Sequence, residues 1–172
     1  EKAAGEEVHA VDLGTGSGLL AMMCARAGAD SVVAPELHEA MASTARRNIA
    51  ANGLSAKVHV VQRDLGLLER GQQIRTKGCN LVVADFFDSG LLGDHFVYML
   101  ETAKKKILTP NAAMVPAAAT VYCMGIEAYT TEVRGFDFSS FNKYRYDKTY
   151  ESCYLDNVAH RRLTKPKKVF EY

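Results

Sequence analysis

The sequence has no tryptophan and only four prolines in 172 residues. No stretch is long enough or apolar enough to span a bilayer, so no membrane role is expected. Residues 1–7 lack the apolar segment of a signal peptide. The four cysteines (Cys24, Cys79, Cys123 and Cys153) stand far apart, with no C-x-x-C pair and no histidine at metal spacing. No metal site is therefore expected. Cys24 and Cys79 lie in or beside apolar runs and read as small core residues, which suits the reducing cytoplasm or nucleus. Net charge is only +1, so no global field points to nucleic acid or membrane as the main partner. Cations gather late, at Arg161, Arg162, Lys165, Lys167 and Lys168, where a solvated strand rim explains them more simply than a binding patch.

What is present is an apolar fraction of 48%, ample for one buried core, and a rhythm of strands ending in acids. Residues 8–12, 31–36, 57–64 and 80–85 are strand-like runs that end in Asp12, Glu36, Asp64 and Asp85. The steps between those acids are 24, 28 and 21 residues (36 − 12, 64 − 36, 85 − 64), the size of a strand–helix–strand unit in a parallel sheet. Between them, apolar spacing predicts helices over 17–27 (Leu19, Leu20, Met23, Cys24, Ala27), 37–51 (Met41, Ala45, Ile49) and 91–107 (Phe96, Leu100, Ala103, Ile107). Open parallel sheets bind ligands beyond the carboxyl ends of their strands, so the four acids point at one crevice. Near Pro110 and Pro116 the character changes. Residues 118–131 read as one long antiparallel strand, 144–154 have no helical period, and 160–172 return to strand alternation. The predicted organisation is an α/β parallel-sheet domain over 1–116 and the opening of a β-rich domain over 117–172. The chain starts almost on its first strand and stops on an apolar one, so it is expected to be a piece of something longer.

The first strand runs into the first helix through Val11-Asp-Leu-Gly-Thr-Gly-Ser-Gly-Leu-Leu20. Glycines at 14, 16 and 18 allow a sharp turn and close backbone approach to a ligand. A dinucleotide fingerprint would need a third glycine at 19, where leucine stands, and no G-x-x-x-x-G-K-S/T phosphate loop is present. Glycine at every second position after an acid instead resembles the first motif of class I S-adenosylmethionine methyltransferases. That resemblance implies a Rossmann-like fold and S-adenosylmethionine as cofactor. It places Asp12, Gly14, Thr15, Gly16 and Gly18 around the methionine portion, Glu36 and Leu37 at the ribose, and Asp64 at the adenine amino group. Glu36 has the bidentate acceptor geometry that two ribose hydroxyls want. The plainer alternative makes Asp12 a helix cap and Glu36 a solvated strand end.

After the fourth strand comes Val83-Ala-Asp-Phe-Phe-Asp-Ser-Gly-Leu-Leu-Gly-Asp94. Its acids Asp85 and Asp94, nine residues apart, resemble the paired glutamates with which protein arginine methyltransferases hold a guanidinium. The D-x-G-L-x-G-D pattern is similar to the divergent branch that carries tandem methyltransferase modules. Residues 21–23, 115–122 and 135–138 add to the likeness. The resemblance implies methyl transfer to arginine in a protein substrate, a β-barrel-like second domain, and a homodimer or a tandem-module pseudo-dimer. Two carboxylates suit the task because guanidinium is a delocalised, always protonated and poor nucleophile. A bidentate clamp fixes its plane and aims one nitrogen at the sulfonium methyl. Phe86 or Phe87 could stack on the guanidinium, although loop-anchoring core is the simpler role for each.

This sequence departs from the family in carrying aspartate where glutamate is usual, which withdraws each carboxylate by roughly 1–1.5 Å on a fixed backbone. Two elements that the resemblance expects, an N-terminal helix over the cofactor and a histidine–tryptophan loop, lie outside the 172 residues. The second reading is therefore a weakly active or inactive module that binds partners as a scaffold. Asp88 reads as a loop cap, His95 as a solvated helix-start residue, and 144–154 falls where the family inserts a dimerisation arm or where a plain loop would do.

Overall fold

The computed structural model describes residues 5–88, 91, 93, 95–144 and 154–171. The chain divides into two units, Glu1–Ala118 and Ala119–Tyr172. In the first, strands β1 (His9–Leu13), β2 (Ser31–Glu36), β3 (Val58–Gln62), β4 (Cys79–Ala84) and β5 (Leu108–Val115) form one sheet in the order β3-β2-β1-β4-β5. Every neighbouring pair is parallel. Helices α1 (Leu19–Arg26), α2 (Glu39–Ala51) and α3 (Phe96–Lys106) connect them, with a short 3-10 turn at Leu65–Leu67.

Side chains alternate between the two faces of the sheet, and each face has its own core. Val11, Leu13, Val33, Val82 and Ala84 pack against Leu65, Leu68, Ala103 and Ile107 on the α3 side. Ala10, Val32 and Ala34 pack against Ala21, Ala25, Ala45 and Ile49 on the other. That second layer is built of alanines, which lets α1 and α2 lie close to the sheet.

Close packing corrects the expected face of α1. Ala21 and Ala25 are the buried positions, while Leu19 and Met23 are more than half exposed. Leu20, Met23, Cys24 and Ala27 instead line an apolar groove of about 780 Å³ beside Leu81, Val83 and Val115 of β4 and β5. In α2 the buried positions are Ala42, Ala45 and Ile49, with Met41 partly exposed. Phe96, Leu100, Ala103 and Ile107 are all buried, as their spacing predicts. However, α3 begins five residues later than the predicted span of 91–107, because Leu91 (φ 72°) and His95 (φ 59°) take left-handed backbone that a helix cannot contain. Its last turn carries Lys104, Lys105 and Lys106 at the negative end of the helix dipole. Arg70 closes that end by donating to the carbonyls of Lys106 (3.0 Å) and Leu108 (2.6 Å).

In the second unit, β6 (Thr120–Cys123) pairs antiparallel with β11 (Lys167–Glu171), and β7 (Ile126–Ala128) pairs with β10 (His160–Arg162). A small hairpin joins β8 (Glu132–Val133) to β9 (Phe136–Asp137). The long strand expected over 118–131 is thus two strands. Gly125 breaks it, and its carbonyl accepts from Leu163 (2.9 Å) and Thr164 (3.3 Å) while its amide donates to the Thr164 hydroxyl (2.9 Å). Most of the stretch where a dimerisation arm was expected, residues 145–153, lies outside the described residues.

Candidate active site

The carboxyl ends of β1, β2 and β4 converge, and the loop 14–18 fills the space between them. Gly14, Gly16 and Gly18 all have positive φ (64°, 54° and 87°), a conformation that a Cβ would strain. Gly18 is also the residue before α1, and a Cβ there would stand 3.3 Å from the Cβ of Ala45, so α2 can pack directly on the loop. The loop is tied on several sides. Thr15 N–H donates to the Pro35 carbonyl (3.1 Å), Gly18 N–H to the Thr15 carbonyl (2.8 Å), and Asn48 Nδ2 to the Ser17 carbonyl (2.9 Å).

Helix α1 has no side-chain cap of its own. Asp12, 1% exposed, supplies one from the strand: its Oδ2 accepts from Ala21 N–H (2.9 Å) and from Thr15 Oγ1 (2.6 Å). Thus the acid of the motif is indeed a cap, and it is a buried one that links strand, loop and helix. Burial pushes its carboxyl up to about 6; the hydrogen bonds from Thr15 and Ala21 oppose that rise, and the charges of Asp85 and Glu36 add to it.

Glu36 is the second acid at the loop. Its Oε2 accepts from Gly16 N–H (3.0 Å) and its Oε1 from His38 N–H (2.8 Å), with the residue 7% exposed. Far from being a solvated strand end, it braces the glycine loop against β2. Leu37, 59% exposed, follows directly and offers an apolar lip. Asp64 lies two residues beyond β3, where its side chain accepts from Gly66 N–H (2.7 Å) and caps the 3-10 turn.

On β4's exit, Asp85 is exposed, lines the apolar groove beside α1, and lies near enough to Asp12 for its charge to act there. Asp94, its expected partner, lies outside the described residues. Phe86 turns its ring to Gly14 and packs on the core of the α3 side. Phe87 packs on Phe96, ring centroids 4.8 Å apart. Both aromatics therefore anchor the loop. Asp88 does so too, accepting from Gly93 N–H at 3.1 Å, and His95 is exposed at the start of α3.

Sequence reasoning did not identify the brace from Gly16 to Glu36, the Thr15 hydroxyl on Asp12, or the ring of Phe86 against Gly14. A hydroxyl residue inside the G-x-G turn three positions after a buried acid is the signal that would have revealed the second of these. The first and third need the fold, because their partners are 20 and 72 residues apart (36 − 16, 86 − 14).

Sheet order, glycine loop and strand-end acids together define a class I S-adenosylmethionine-dependent methyltransferase. The chain belongs to the methyltransferase family described as ribosomal protein L11 methyltransferase (PrmA), whose family model matches residues 1–114. It is 38% identical over 125 residues to protein arginine N-methyltransferase 7 of Drosophila grimshawi, covering 73% of this chain and 18% of that protein. It is 40% identical over 126 residues to protein arginine N-methyltransferase 7 of Anopheles gambiae, again 73% of this chain and 18% of the relative. The chain thus spans less than a fifth of the length of these relatives. Among solved structures it is similar to PRMT6 (TM-score 0.73, 20% identity, 100% of this chain and 58% of that one). It is also similar to the Trypanosoma brucei PRMT1 enzyme-prozyme complex with AdoHcy (TM-score 0.70, 19% identity, 97% and 53%). These two likenesses are of fold.

The residues suit S-adenosylmethionine. A Cβ on Gly16 would meet nothing closer than 3.8 Å, so the space above the loop is open to a ligand. Asp12, Glu36 and Asp85 lie near enough for their charges to act on one another, and a group of carboxylates suits an ammonium or a sulfonium better than a phosphate. Each Glu36 oxygen accepts a single backbone N–H and keeps acceptor capacity for a ribose hydroxyl.

Proposed function

We propose that the full-length protein transfers the methyl group of S-adenosylmethionine to guanidino nitrogens of arginine in a protein substrate. The observation that carries this reading is the 3.0 Å bond from Gly16 N–H to Glu36 Oε2. It ties the glycine loop to the strand-end acid that this reading assigns to the ribose, with Asp85 on the exit of the strand beyond β1. The names of the relatives support arginine as the acceptor. In this reading Gly14, Thr15, Gly16 and Gly18 line the methionine end with Asp12 beneath them, Glu36 and Leu37 hold the ribose, and Asp64 lies at the adenine.

The cofactor supplies an electrophilic methyl on a cationic sulfur. The chain's own contribution is positioning and electrostatics. Asp85 and Asp94 take opposite edges of the guanidinium, draw its charge onto two nitrogens, and leave the third facing the methyl. The N-terminal helix and the histidine–tryptophan loop that the family resemblance implies complete the pocket in the whole protein. Assembly as a homodimer or a pair of tandem modules belongs to the same proposal. So does residence in the cytoplasm or nucleus, which is supported by thiols such as Cys79, whose burial pushes it up to about 11 and keeps it inert.

The test is transfer of label from tritiated cofactor to an arginine-rich peptide by the full-length protein. Transfer that Asp85→Ala abolishes while S-adenosylhomocysteine still binds supports the clamp. No transfer, unchanged by Asp85→Glu with Asp94→Glu, rejects it and leaves a cofactor-binding scaffold, the reading that the shortened acids favour.

A further inference from the structure

Phe86 follows Asp85 on the exit from β4, yet its ring belongs to the other end of the site. A Cβ built on Gly14 would stand 2.3 Å from the ring's Cε1, 3.1 Å from Cζ and 3.3 Å from Cδ1. The ring edge therefore occupies the volume that any side chain at position 14 would need. Gly14 is required twice over, by its φ of 64° and by this ring. Behind it, Phe86 is partly buried against the core that contains Val11, Leu13, Val82 and Ala84, the strands from which both loops spring.

We infer that Phe86 is a positioning residue that couples the glycine loop to the segment carrying Asp85. The inference rests on the proposed methyltransferase reading and deepens it. One rigid aromatic plate touches the first turn of the cofactor loop while its backbone neighbour presents the carboxylate of the guanidinium clamp. A shift of the loop moves the ring, and the ring moves Asp85. Seating of the cofactor and placement of the acid then form one packing event, which matters because a displacement of about 1 Å at a reacting centre can cost roughly a hundredfold in rate.

The experiment is a double-mutant cycle in the full-length protein between Gly14→Ala and Phe86→Ala, read as the Kd of S-adenosylhomocysteine by calorimetry. In the native background the new methyl at 14 meets both the ring and the strained φ. With the ring removed it meets only the strain. The expected penalty of Gly14→Ala is smaller in the Phe86→Ala background by about fivefold or more, the range typical of residues in direct contact. Equal penalties in both backgrounds overturn the coupling.

A second reading separates positioning from core filling. With cofactor saturating, Phe86→Ala is expected to lower kcat on the peptide by about tenfold, and Phe86→Leu, which keeps apolar bulk but not the ring edge at Gly14, to lower it in the same direction. A ring that merely fills space would lower thermal stability and leave kcat at the native value, which contradicts the proposal. Should Phe86→Ala not fold, Phe86→Leu takes its place in the cycle, since leucine lacks the ring edge that reaches Gly14. Failure of the native protein to bind S-adenosylhomocysteine at all removes the cofactor reading and this inference with it. That result is distinct from binding with additive penalties, which removes only the inference.

Discussion

Asp12 does two jobs that pull its ionisation in opposite directions. Its hydrogen bonds to Ala21 N–H and Thr15 Oγ1 favour the carboxylate, while burial favours the acid and wins, so the group titrates near 6 and not at its ordinary 3.8. With the folded value raised, the stability this residue contributes is fully present below about pH 4. It is lost as pH rises towards 6 and constant above that. Cofactor affinity runs the other way, because a cationic ligand prefers the ionised form. Calorimetry with S-adenosylmethionine is therefore expected to show binding weakening as pH falls through about 6, with Asp12→Asn flattening the profile. Each unit by which the ligand lowers that value is worth about 1.4 kcal/mol. Thr15→Val removes a bond that lowers the Asp12 value, so the midpoint should move to higher pH. A midpoint unmoved or shifted downward would show that the hydroxyl does not act through Asp12.

At the scale of elements, the acid-ended strands were legible because a parallel sheet buries both faces and writes itself as short apolar runs. The glycine loop was legible because few residues tolerate three left-handed positions in five. Helix faces were less so. In α1 the large residues look like a core stripe, yet the alanines are what reach the sheet, since close approach needs small side chains. The start of α3 was hidden because Leu91 and His95 hold left-handed backbone that residue type alone does not announce. The break at Gly125 was hidden for a related reason: strand propensity on both sides runs straight across it. Gly18 makes the element-scale prediction. Alanine there combines φ of 87° with a 3.3 Å approach to Ala45, so the full-length protein should lose about 1–2 kcal/mol in denaturant unfolding as α1 and α2 are pushed apart. A loss below about 0.5 kcal/mol would mean that the loop and α2 are not in firm contact.

For the whole molecule, the sheet acts as a frame that brings the ends of separate strands to one place. Gly16 and Glu36 meet at 3.0 Å from opposite ends of a strand–helix–strand unit, and Asp85 arrives from the strand on the other side of β1. Sequence spacing put Asp12, Glu36 and Asp85 at strand ends; only the fold shows that Asp12 and Glu36 hold the glycine loop. The most direct measurement is a calorimetric titration of the full-length protein with S-adenosylhomocysteine, repeated with Glu36→Ala. One site per methyltransferase module, weakened about 10- to 100-fold by the substitution, is the expected result. No heat from the native protein, or an affinity indifferent to Glu36, would contradict a nucleoside pocket built from the glycine loop and the end of β2.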